Sequence, residues 1–185
     1  ILPPDRNLLL DPHFVEFLAG IGERLATDEI DIVLSPVGPG DELMSYRRMA
    51  AGTRVDAMIL SGPAIEDDRV TLLAELGCPF VLHGRTNVGV PYAWLDIDNE
   101  GAFRHATNHL LDLGHERIGL INGDSRLTYA VHREQGYADA LASRGIPLDR
   151  RLIANGPMTD EMGYRATERF LAETPPPTAI VVGSM

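Results

Sequence analysis

Apolar positions along this chain switch repeatedly between a helical and an extended period. In residues 12–27, Phe14, Phe17, Leu18, Ile21 and Leu25 recur on one helix face, and Asp11-Pro12 opens the run with a capping oxygen and a helix-starting proline. Residues 30–35 (IDIVLS) then read as a short strand, 36–40 as a loop and 41–52 as a second helix. The alternation continues with a strand at 55–61, a helix at 66–76 closed by Gly77, and a strand at 79–83. An extended run at 92–97 (YAWLDI) leads into a helix at 99–113 that carries Phe103, Ala106, Leu110 and Leu111 on one side and ends at Gly114. After it come a strand at 117–122, the longest helix through Leu127 and Leu141, a strand at 151–154, a helix at 159–173 and a strand at 179–182.

The strands are about five residues long and almost continuously apolar, as a parallel sheet covered on both faces requires. Strand–helix alternation of this kind makes an open, doubly wound α/β sheet, or two of them. The loop at 85–91 (RTNVGVP) separates two similar halves, so the expected organisation is an N-terminal lobe over 1–90 and a C-terminal lobe over 91–185. Residues 1–4 read as the tail of a strand, and the strand near the end has no helix after it. The chain is therefore expected to be part of something longer.

Composition narrows the function classes. The chain has 185 residues, 44% of them hydrophobic, enough to bury a real core. Its formal net charge is −11, and every one of its 16 basic residues is arginine. An acidic surface repels phosphate backbones, so this segment is not expected to grip DNA by itself. The single cysteine, Cys78, excludes an intrachain disulfide and reads as a small buried hydrophobe. No apolar run approaches the length of a membrane span, and no basic leader precedes one.

The polar residues that could carry function sit where strands end. Ser61-Gly62-Pro63 follows one strand, His83-Gly84-Arg85 another, Asn122-Gly123-Asp124-Ser125 a third, and Gly183-Ser184 the last. Open α/β sheets bind ligands at that edge, and a row of mixed donors and acceptors suits a sugar or polyol, although each of these residues is also an ordinary turn or cap residue. Arg133 lies on the flank of its helix's apolar face, from which a guanidinium could reach across the strand ends or simply meet solvent. His13 could donate a hydrogen bond to a ligand, and Trp94 could stack on a sugar ring or serve as packing. His105 and His109 are four apart, but the intervening Ala-Thr-Asn lacks the glutamate of a zinc hydrolase, and no metal or cofactor is expected. Val37-Gly38-Pro39-Gly40 lacks the third glycine of a dinucleotide loop, and without lysine there is no phosphate-binding Gly-Lys-Ser/Thr. No Gly-x-Ser-x-Gly elbow occurs, and the carboxylates Glu66-Asp67-Asp68 sit together at a helix start, so no enzyme is read here.

The run Leu95-Asp96-Ile97-Asp98-Asn99-Glu100-Gly101-Ala102 resembles the lactose-repressor (LacI) family of bacterial transcription regulators. So do His109-Leu110-Leu111-Asp112-Leu113-Gly114-His115-Glu116-Arg117-Ile118-Gly119, Arg133-Glu134-Gln135-Gly136-Tyr137 and Pro177-Thr178-Ala179-Ile180-Val181, taken in this order. The resemblance implies a two-lobed fold like that of periplasmic sugar-binding proteins, in a domain that binds a small-molecule effector, forms a homodimer and controls operator affinity. DNA would be held only through an N-terminal helix-turn-helix domain outside this chain, in a cytoplasmic protein without a membrane partner. It also implies that Arg133 holds ligand hydroxyls, with Asp11, His13 and Arg85 in segments that contribute contacts. The set of expected ligand-binding residues is Asp11, His13, Ser61, Arg85, Trp94, Asp124, Arg133 and Ser184. Two departures stand out: Gly84 replaces a frequent aspartate, and Gly183-Ser184-Met185 replaces Ala-Asn-Asp. The alternative reading of the same fold is a periplasmic solute-binding protein of a sugar transporter.

Overall fold

The order of elements follows from local signals that the sequence carries. The computed structural model describes residues 12–35, 40–52 and 54–183, with side chains in the first helix from residue 14 onward. Helix α1 spans Pro12–Ala26 and α2 Glu42–Ala50, with Glu42 in the first turn of α2 and Arg47 and Arg48 in its last, each complementing the helix dipole. Strand β1 (Met58–Ser61), helix α3 (Asp68–Glu75), strand β2 (Phe80–His83) and strand β3 (Ala93–Leu95) follow. Helix α4 (Asn99–Asp112) is capped by Asp98, whose carboxylate accepts from the Gly101 N–H at 2.8 Å. It stops at Gly114, where φ is +90°, a conformation open to glycine. Strand β4 (Ile118–Asn122), helix α5 (Thr128–Ser143), strand β5 (Ile153–Asn155), helix α6 (Asp160–Leu171) and strand β6 (Ala179–Val182) complete the chain.

One expected strand is corrected. Residues 30–35 form no strand, because no ladder partner faces them among the described residues, and Ile30, Ile32, Val33 and Leu34 are 41–56% exposed. Burial of β1 and β2 also differs from the expected two-sided cover. Met58, Leu60 and Leu82 are buried, while Ile59 and Val81 on the alternate positions are exposed; on α3, Val70, Leu72 and Leu73 are buried. The strand expected at 151–154 begins two residues later, because Asp149 caps a short 3-10 turn at Arg150–Leu152 by accepting from the Arg151 N–H.

The chain divides into two compact units, one comprising Ile1–Leu60, Asp68–Val81 and Val88–Ala93, the other Ser61–Asp67, Leu82–Asn87 and Trp94–Met185. Segments 61–67 and 82–87 thus group with the later part of the chain rather than with the residues beside them in sequence. Strands β1, β2 and β3 pair in that order.

In the second unit the order is β5-β4-β6, with β4 parallel to both neighbours. Strand β4 is buried along its whole length, and its residues alternate between two cores. Ile118 and Leu120 pack with Phe103 and Leu111 of α4 and Tyr137, Ala140 and Leu141 of α5. Ile121 packs on the opposite side with Ala166 and Phe170 of α6. The buried Tyr137 hydroxyl donates to the Ile118 carbonyl at 2.7 Å, and burial pushes its pKa up to about 12. Helices α4 and α5 cross closely because position 136 is glycine: a Cβ there would stand 2.0 Å from the Glu100 carbonyl oxygen.

Candidate functional site

In a sheet ordered β5-β4-β6 the connections from β4 and from β5 run to opposite sides of the central strand. The crevice at the carboxyl ends of β4 and β6 is therefore the place where such a sheet accepts a ligand. A shallow cavity of about 150 Å³ opens there, lined by Ile121 and Asn122 of β4, Val182 and Gly183 at the end of β6, and Met158 and Thr159 ahead of α6. Thr159 caps α6 by accepting from the Met162 N–H at 3.3 Å, which fixes this rim.

Arg133 reaches the same edge from α5. Its Nε donates to Asn99 Oδ1 at 2.9 Å and its Nη1 to the Gly183 carbonyl at 3.1 Å. The guanidinium lies over two aromatic faces, 5.1 Å from the Phe103 centroid and 4.8 Å from that of Tyr129. Burial draws its pKa below the usual value, opposed by the neighbouring Tyr129. A guanidinium has five N–H donors, and the two on Nη2 have no partner among the described residues. Tyr129 is held close by Gly123, where a Cβ would sit 2.3 Å from the phenol oxygen, and its hydroxyl lies 3.5 Å from Met158 Sδ. Desolvation raises the Tyr129 pKa, so the phenol is neutral and able to donate.

A second cluster is joined to the first by hydrogen bonds. Arg85 Nε donates to Asp96 Oδ2 at 2.8 Å, and its guanidinium stacks 5.2 Å above the Trp94 ring. Asp96 is nearly buried, and its Oδ1 accepts from the Ile97 N–H at 2.8 Å and from Asn99 Nδ2 at 3.5 Å. Asn99 is 6% exposed and also donates to the Ile97 carbonyl at 3.1 Å. Arg85, Trp94 and Arg133 thus belong to one continuous polar chain through Asp96 and Asn99. The loop after β1 is pinned to the same helix as Arg133, since Thr128 donates from N and Oγ1 to the Pro63 carbonyl at 3.0 and 3.2 Å.

The remaining expected residues fall differently. Ser61 is exposed at the carboxyl end of β1, and Trp94 is 52% exposed. Asp124 is occupied by Arg126, whose backbone and guanidinium donate to it at 2.5–3.0 Å and hold its pKa below the usual carboxylate value. Asp11, the His13 side chain and Ser184 lie outside the described residues. Asn99, Phe103, Tyr129 and Met158 were not singled out as site residues in the sequence. Tyr129 is four positions before Arg133, a spacing that places both on one helix face, and this signal was available. His105 and His109 are exposed on α4, and no group of three metal-ligating side chains exists among the described residues. No helix among the described residues is long and apolar enough to cross a membrane.

Comparison with known proteins agrees with the α/β fold and its parallel strands. Residues 5–184 match the family model described as periplasmic binding proteins and sugar binding domain of the LacI family. The chain is 42% identical over 186 residues to the HTH-type transcriptional regulator AglR of Rhizobium meliloti (strain 1021), covering 100% of this chain and 52% of the relative. It is 35% identical over 170 residues to the HTH-type transcriptional regulator RafR of Escherichia coli, covering 91% and 49% respectively. Among solved structures, a complex of the transcriptional regulator CelR with cellobiose superposes with a TM-score of 0.84 at 31% identity, over 96% of this chain and 55% of that one. The chain spans about half the length of the curated relatives it matches. On these grounds the chain belongs to the family of periplasmic binding proteins and sugar-binding domains of the LacI family.

Proposed function

We propose that this chain is the effector-binding part of a cytoplasmic transcription regulator, that its effector is a sugar or polyol, and that it performs no catalysis. The observation that carries this reading is the Arg133 guanidinium: half-buried, oriented by Asn99 and Gly183, and left with both Nη2 donors unspent at the carboxyl edge of β4 and β6. Hydroxyl oxygens accept such donors, and the Tyr129 face beside them suits the apolar side of a sugar ring. Contacts are assigned first to Arg133, then to Trp94 and Arg85, with Ser61, Asp124, Asp11, His13 and Ser184 in the same proposal. Asp124 would take part by sharing its carboxylate with Arg126 or by exchanging Arg126 for a ligand hydroxyl.

In the full-length protein the effector acts only through its different affinity for two states, one of which binds operator DNA more tightly. The protein is proposed to work as a homodimer, with DNA held by a helix-turn-helix segment outside this chain. The matched family model also describes periplasmic binding proteins, which favours transport as the second reading; the regulators among the relatives favour the first. A thermal-shift screen of full-length protein against sugars, polyols and nucleosides, followed by DNA titration with and without the best ligand, separates them. Regulation predicts DNA curves that shift with ligand, and identical curves contradict it.

A further inference from the structure

Arg133 is half-buried without an ion-pair partner among the described residues, so its direction is set by neutral groups. The Gly183 carbonyl meets one end of the guanidinium, and Asn99 meets the other. Asn99 can serve only with its amide turned one way, Oδ1 towards Arg133 Nε and Nδ2 towards Asp96 and the Ile97 carbonyl. The opposite amide orientation would face a donor with a donor at Arg133 and an acceptor with an acceptor at both Asp96 and Ile97. Asp96 in turn is fixed by the Ile97 N–H and by Arg85, which is backed by the Trp94 ring. From Arg85 to Gly183 one assignment of donors and acceptors is therefore consistent: Arg85 and Asn99 donate to Asp96, and Arg133 donates to Asn99 and to Gly183.

We infer that Asn99, with its amide orientation set by Asp96, is the positioning residue of Arg133: it holds the guanidinium so that Nη2 faces outward at the strand ends. This rests on the reading of Arg133 as a ligand contact, but its own test needs no ligand. Nothing in the local sequence marks Asn99 for this role beyond its place next to the Asp98 cap, and its 34-residue separation from Arg133 is bridged only by the close crossing of α4 and α5.

The test is phenylglyoxal labelling of full-length protein, with the rate at Arg133 read by peptide mass spectrometry against exposed Arg165 as internal reference. Asn99→Leu keeps the branched shape of the side chain and removes its three hydrogen bonds. Labelling at Arg133 should rise by about tenfold, the factor expected when a hydrogen bond to a charged group is lost. Asp96→Asn alone should give a smaller rise in the same direction. Asn99→Asp keeps an oxygen facing Arg133 Nε whichever way the group turns, so labelling should stay at or below the wild-type rate, a result that loss of packing would not produce. A rise in Asn99→Asp would contradict a role for that oxygen. Circular dichroism melts accompany each variant; if Asn99→Leu does not fold, Asp96→Asn and Asn99→Asp decide. Equal Arg133 labelling in wild type, Asn99→Leu and Asp96→Asn overturns the inference. A cellobiose titration of wild type and Arg133→Ala separates the underlying reading. Binding by wild type that survives Arg133→Ala removes the ligand role of Arg133, while the labelling result still decides how that arginine is held.

Discussion

Replacing Gly136 by alanine tests the packing on which the site geometry depends. A Cβ at this position would lie 2.0 Å from the Glu100 carbonyl oxygen and 2.9 Å from both Glu100 C and Arg104 N, all backbone atoms of α4. No rotamer change relieves such contacts. Reaching an ordinary 3.4 Å from that oxygen requires the helices to separate by about 1.4 Å, the difference from 2.0 Å. Overpacking of this kind costs about 1–3 kcal/mol, offset by the roughly 1 kcal/mol that alanine gains over glycine inside a helix. The net loss is up to about 2 kcal/mol, or a fall of up to roughly 8 °C in melting temperature for a chain of this size. The same displacement would carry Arg133 Nε out of hydrogen-bond range of Asn99, now at 2.9 Å, so ligand affinity should fall with stability. Differential scanning calorimetry reads the first effect and isothermal titration the second. Gly163→Ala in α6 is the control, because a Cβ there meets nothing within 4 Å, and it should be neutral or stabilising. If Gly136→Ala stabilises as much as Gly163→Ala, the close crossing of α4 and α5 is wrong.

Other consequences are checkable in the same way. Tyr137→Phe removes a buried bond to the Ile118 carbonyl, and thermal melting should show a loss of about 1 kcal/mol, roughly 2–4 °C. Hydrogen bonds from Arg151 and then Arg117 hold the Asp149 carboxyl far below the usual range, so its contribution to stability is complete above about pH 4 and is lost as pH falls towards the folded-state pKa. Asp149→Asn should therefore flatten the decline in melting temperature between about pH 4 and pH 2, and an unchanged acid slope would refute this. Burial raises the Cys78 thiol pKa, so Ellman's reagent should react with it more slowly at pH 8 than with free cysteine, and an equal rate would contradict that placement.

The parts of the fold that were legible are those specified by neighbouring residues. Gly114 at positive φ and the apolar run of β4 mark the end of α4 and the central strand without any knowledge of contacts. The segment at 30–35 has strand-like composition but not a strand, because pairing depends on a partner that composition does not name. Arg133 could be singled out from its position on the helix flank. Its setting could not: Asn99 and Gly183 lie 34 and 50 residues away, and they meet it only because Gly136 lets two helices close and β6 ends beside β4. Asp124 shows the reverse case, since its partner Arg126 is two residues on and the opposite charges were visible in the turn. That pairing limits what Asp124 can offer a ligand.

The most direct measurement is calorimetric titration of wild-type full-length protein and Arg133→Ala with the tightest-binding sugar or polyol from the screen. The account predicts binding to wild type and a loss of about 10- to 100-fold in the variant, the worth of one or two hydrogen bonds to a charged donor, with a melting temperature that stays within a few degrees. Affinity that is unchanged by removing the guanidinium would contradict it.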